Sequence, residues 1–186
     1  MVKRLSEMTL QELWQLFPVI LTAPDSRWAE WYAQEEALLR CILPAEYVLR
    51  ITHIGSTAVP GIWAKPIVDI LVECAPEADL ARADAALARA GYRCMSRGCT
   101  RRSYNKGYTE AGFAEQVFHL HLQPICRSLP DEVLFRDWLI AHPDDAAAYE
   151  ALKLSLCEPF RHDRDGYTAA KGDFVQGILL RCRAGG

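Results

Sequence analysis

Apolar positions recur along this chain with two periods, 3.6 and 2, and Pro and Gly mark most of the changes between them. Thr9-Leu10-Gln11-Glu12 forms a capping box, with the Thr hydroxyl taking a first-turn amide and Glu12 reaching back, so a short helix through Phe17 is expected. Pro24-Asp25-Ser26 opens a longer helix in which Trp28, Trp31, Tyr32, Leu38, Leu39 and Ile42 share one face, and Pro44 ends it. Tyr47 to Ile54 reads as a first strand that leaves through Gly55-Ser56. Pro66 to Cys74 is a second strand, apolar on both faces and therefore central.

The pattern then turns helical from Ala78 to Ala90, with Gly91 as the stop. Tyr92 to Ser96 and Arg101 to Lys106 read as short strands, the second turned by Gly107, and Val117 to Gln123 alternates strictly. Three helices close the chain: Pro130 to Ala141, Pro143 to Leu156 and Gly166 to Arg183. Pro143 suits a first helical turn, where its missing amide costs nothing. The expected fold is α/β (α+β type), a single domain over residues 1–186, with a mixed sheet flanked by helices and a helical C-terminal layer.

Composition narrows the function classes. A net charge of -3 and a pI near 6.0 supply no basic field for nucleic acid. Seven scattered cysteines, an odd number, without a recognisable signal segment point to free thiols in a reducing cytoplasm. No apolar run approaches the length that spans a bilayer, so no membrane partner is expected.

The candidate chemistry gathers around the first two strands. Gly55 allows a tight turn, Ser56 adds a hydroxyl, and the amides of Ser56 and Thr57 open the next helix, an arrangement that attracts phosphate. The bland alternative is a strand-to-helix turn with no ligand. Asp69 interrupts an apolar run, where an unpaired charge is costly, so it calls for a partner, a metal ion among the candidates. His119 and His121 alternate on one strand, about 6.6 Å apart on the same face. With Asp69 they could ligate a divalent ion (Mg, Mn or Zn), or one could be a hydrogen-bonded core histidine. His53 is a further possible ligand, or a residue that steers Asp69. Lys65, Arg102 and Lys106 are candidate phosphate contacts; Arg102, Tyr104 and Lys106 fall in phase on one strand face, and a charged, solvated edge is the alternative. Tyr167 and Lys171 share a helix face, with packing of Tyr167 preferred and Lys171 at the cleft as the other option.

The run HIGSTAVPG from His53 to Gly61, followed by KPIVDILV from Lys65 to Val72, resembles the GrpB family, also called UPF0157. The resemblance extends from about Leu10 to about Arg181 and includes "PDSRWAEWYAQEEALLR", "VFHLHLQP" and the C-terminal tail. It implies a nucleotidyltransferase-like fold in which the Gly55-Ser56 turn contacts a nucleoside triphosphate, or another phosphorylated small molecule. It also implies catalytic roles for Asp69 and His121, with Asp69, His119, His121 and His53 around the metal. Active members of that superfamily carry two alternating acids, whereas this chain has Leu71 at the second position, and Glu73 lies about 13 Å from Asp69 along an extended strand. Metal-dependent nucleotidyl transfer is therefore one expectation. A catalytically degenerate module acting as a ligand sensor or partner-binding domain is the other.

Overall fold

A computed structural model describes residues 3–184 and places five strands in one mixed sheet, ordered β1-β2-β5-β4-β3. The strands are β1 (Val48–Ile54), β2 (Val68–Cys74), β3 (Arg93–Arg97), β4 (Arg102–Thr109) and β5 (Gly112–Pro124). β1 runs antiparallel to β2, β2 parallel to β5, and β5-β4-β3 form an antiparallel meander. The helices are α1 (Leu10–Leu16), α2 (Arg27–Ile42), α3 (Leu80–Arg89), α4 (Asp131–Ala141), α5 (Pro143–Cys157), α6 (Arg164–Ala169) and α7 (Gly172–Ala184).

β2 is covered on both faces, which explains its near-continuous apolar sequence. On one face Val68, Ile70 and Val72 join Phe118, Leu120, Leu122 and Tyr104 to pack against Trp28, Trp31 and Leu39 of α2 and Leu80, Ala83 and Leu87 of α3. On the other face Leu71 and Ile54 meet Val133 of α4. There the C-terminal helices leave a cleft rather than a closed layer.

Three expectations need correction. The segment Gly166 to Arg183 is two helices, not one, because the chain tightens where the Lys171 amide donates to Thr168. The helix after Gly55 is a single 3-10 turn, Ser56–Ala58, too short to gather a helix dipole. Gly107 does not end β4. It is a bulge within it, at φ 89°, and the true hairpin turn lies between Thr109 and Gly112. The bulge shifts the alternation by one, so Lys106 points to the α2 face while Tyr108 points to the cleft.

A Cβ at Gly107 would lie 2.2 Å from the Gln116 carbonyl oxygen, at a φ that L-residues rarely adopt. Gly107→Ala is expected to lose about 1–3 kcal/mol of stability. Urea unfolding measures this, and an unchanged midpoint would contradict the bulge.

Candidate functional site

The β2-β5 register sets Asp69 directly beside His119 and Leu71 beside His121. His119 Nδ1 and Asp69 Oδ1 are 3.1 Å apart. On the far side of the ring, Nε2 lies 2.7 Å from the Tyr108 hydroxyl, which accepts a 2.9 Å bond from Arg164 Nη2. An ionised carboxylate only accepts, so Nδ1–H donates to Asp69, and in the neutral ring Nε2 then accepts from the Tyr108 hydroxyl. Burial pushes the Asp69 carboxyl up, but the His119 bond, and the positive charges that His119, His121 and Lys65 carry at the acid pH where a carboxyl titrates, outweigh it and hold it below its ordinary value. The other carboxylate oxygen rests against Gly55, 2.3 Å from where a Cβ would sit. Gly55, at φ 73°, is therefore required by Asp69 as much as by the turn.

Asp69 and His119 line a cavity of about 490 Å³, with Ser56, Lys65, His121, Tyr149, Lys153, Tyr167 and Lys171, and Tyr108 and Arg164 stand behind them. Three lysines enter it from three segments. Lys65 Nζ is 5.3 Å and Lys171 Nζ 4.3 Å from the centre of the Tyr167 ring, and Lys153 Nζ is 4.9 Å from that of Tyr149. Lys153, 2% exposed, donates to the Trp63 carbonyl. Among the described residues none of the three makes an ion pair with a carboxylate. Burial is the main cause that brings Lys65 down to about 7 and Lys153 and Lys171 down to about 8. Repulsion adds to it: Arg164 and Lys171 act on Lys65, and Lys171 acts on Lys153. The Tyr167 hydroxyl is buried beside the cavity with no hydrogen-bond partner.

The structure brings together Gly55, Ser56, Thr57, Lys65, Asp69, His119 and His121 and separates the rest. Arg102 and Lys106 do share a strand face, but it is the opposite one. Arg102 pairs with Asp84 at 2.6 Å and Lys106 with Glu35 at 2.7 Å, so neither serves the cleft. His53 likewise turns away, stacking on Tyr32 and meeting the Thr57 hydroxyl at 2.9 Å rather than steering Asp69. Burial lowers it to about 4. Thr57 passes its own proton to the Ile67 carbonyl, which makes it a brace for the turn. Both nitrogens of His119 are engaged, and His121 Nδ1 lies 3.2 Å from the Ser103 hydroxyl. No group of three or more His, Cys, Asp or Glu side chains suited to an ion occurs among the described residues. These donors do not fit the expected metal shell. Lys153, Tyr108, Tyr149 and Arg164 escaped the sequence reading; Gly107 within a strand was the one signal, through its bulge, for Tyr108. All seven cysteines are free, and no helix among the described residues is long and apolar enough to cross a membrane.

A family model described as GrpB protein matches residues 18–181. A UPF0157 protein of Pseudomonas aeruginosa is 38% identical over 162 residues, which cover 86% of this chain and 66% of that protein, just under two thirds of its length. The glutamate-rich protein GrpB of Alkalihalophilus pseudofirmus is 33% identical over 166 residues, covering 87% of this chain and 94% of the relative. Among solved structures, the conserved protein GrpB from Enterococcus faecalis superposes with a TM-score of 0.75 at 28% identity, covering 88% of this chain and 96% of that one. The mixed α/β fold is common to both.

The buried lysines predict a pH signature. Their values fall from 10.5 in the open chain to between about 7 and 8, so the unfolded state holds more protons across that window. Stability of the ligand-free protein should therefore rise as pH climbs from about 7 towards 10. Lys171→Met removes one buried charge and should raise the thermal midpoint at pH 7 by about 2–8 °C. The gain should shrink towards pH 10, where Lys171 is neutral. Calorimetry at both pH values checks this, and a midpoint lowered at pH 7 would contradict the assignment.

Proposed function

The chain belongs to the GrpB family, and from that premise we propose that its cleft binds a nucleotide or another phosphorylated small molecule. The observation that carries this is the set of three lysines, Lys153 buried and Lys65 and Lys171 half-buried, facing a cavity without carboxylate partners. A buried charge is tolerated when something compensates it, and the aromatic faces compensate these only in part. A phosphate group would complete the set: Lys65, Lys153 and Lys171 as point charges, and the hydroxyls of Ser56 and Tyr167 as donors. Its cavity volume lies in the range of small-ligand sites.

Binding without transfer is the reading favoured at Leu71. The residue is fully buried between Ile54 and Val133, so an apolar contact occupies the position where a transferase would hold its second acid. The protein then acts as a ligand sensor or partner-binding module. One observation favours transfer instead: Asp69, with an ordered His119-Tyr108-Arg164 chain behind it, shares the cavity with the lysines. Fold alone does not choose between these readings.

Thermal shift with inorganic phosphate, pyrophosphate, AMP and ATP tests the binding reading. At least one should raise the midpoint of the wild-type protein, and Lys153→Met with Lys171→Met should abolish the rise while the protein stays folded. A flat response to all four would remove the proposal. Nucleotide turnover followed by phosphorus NMR, present in the wild type and lost in Asp69→Asn, would assign transfer.

A further inference from the structure

We infer that the group this cleft takes is a phosphomonoester dianion carried on a small, partly apolar body, rather than a triphosphate; this rests on the phosphate-binding reading above. The argument is one of charge balance in a recessed site. Among the acids that line the cavity, Asp131 pairs with Arg183 at 2.6 Å and Glu132 with Arg101 at 2.7 Å. His119 donates to Asp69 from Nδ1 and meets the Tyr108 hydroxyl at Nε2, and burial lowers His121 below its ordinary value. Asp69 and the three lysines remain. Fully protonated, the lysines outweigh the carboxylate by two positive charges, the charge of a phosphomonoester above its second ionisation.

Other anions fit less well. A sulfate ester or a carboxylate brings one negative charge and would leave a buried cation uncompensated. A triphosphate brings about four, and the donors present do not form a metal shell to absorb the excess. The groups that face the lysines belong to different elements. Arg164 of α6 and Asp69 of β2 act on Lys65; Glu150 of α5 acts on Lys153, and Lys171 acts on both lysines. Arg164 bonds Tyr108 and Glu150 accepts from the Trp63 amide; neither lines the cavity, and their opposite charges leave its balance unchanged. The Tyr167 hydroxyl, buried and without a partner, supplies a neutral donor beside the ammonium groups. The remaining wall is apolar, made by Phe135 and Leu139 of α4 and Val175 and Leu179 of α7. That wall suits an aromatic or aliphatic ester group.

Phenyl phosphate and phenyl sulfate share size and shape but differ by one charge, which makes them the discriminating probes. Calorimetric titration at pH 8 should give phenyl phosphate an affinity at least about tenfold above phenyl sulfate. In buffers of different ionisation enthalpy, phenyl phosphate should take up about one to two protons on binding, because the dianion restores charge to lysines that burial had neutralised. Lys65→Met should reduce that uptake. Equal affinity for the two esters, or no proton uptake, would overturn the dianion inference while leaving an anion cleft in place. Tighter binding of tripolyphosphate with magnesium than of phenyl phosphate would overturn it too, with phosphate recognition intact. No binding of any of these anions would remove both proposals.

Discussion

The parallel ladder between β2 and β5 places a carboxylate and an imidazole at the same level of the sheet, and the cleft is organised from that contact. A lone acid on an apolar central strand is tolerated only when a hydrogen-bond partner offsets its desolvation. His119 is that partner, donating from Nδ1, and Tyr108 with Arg164 behind it holds the far side of the ring. The carboxylate so held fills the space where Gly55 lacks a side chain. One ion-dipole chain thus runs from α6 through β4 and β5 to β2 and braces the turn that presents Ser56. The geometry of this end of the cleft is inherited from sheet register rather than from loop conformation, which favours a preformed site.

The two faces of the sheet treat cations differently. On the α2-α3 face, Lys106 meets Glu35, and Arg102 meets Asp84 with the Tyr104 hydroxyl on the same acid. Each charge there has its opposite within bonding distance. On the cleft face, Lys65 and Lys171 lie over Tyr167, and Lys153 lies over Tyr149 with a backbone carbonyl as acceptor. Ring faces attract ammonium groups, yet they return less than an ion pair and do not neutralise them. Electrostatic strain is thereby concentrated at one place, as in sites where stability is set against function.

Alternation along the strands was enough to put Asp69, His119 and His121 on common faces, and to group Arg102 with Lys106. It could not tell which face of β4 lay against the core, because a strand with charge on both sides reads the same from either. Gly107 then changed the phase, so Tyr108 emerged beside His119 although simple counting would have sent it to the α2 face. Lys171 is legible as a cleft option through the helix face it shares with Tyr167, but Lys153 is harder. A lysine on a helix reads as solvated, and only the docking of α5 over the sheet buries it. Tyr167 was read as a packing residue, which its 1% exposure supports; its unpartnered hydroxyl is a property of the assembled cleft and has no trace in the sequence.

Leu71 links the packing of the C-terminal layer to the chemistry open to the site. It lies in the same strand phase as Asp69, where the transferase pattern places a second carboxylate, yet it is sealed by Val133 of α4 and Ile54 of β1. An acid at that position would be buried against two aliphatic side chains, with His121 beside it in the ladder as the donor it would need. Seating α4 on the sheet also forms the apolar wall of the cavity through Phe135 and Leu139, and α4 packs against α7, whose entry carries Lys171. The helical packing that brings lysines to the cleft is therefore the packing that shuts out the second acid. In this chain a phosphate taken into the cleft would be met by side-chain ammonium groups, because the space for a paired-carboxylate alternative is filled by the core.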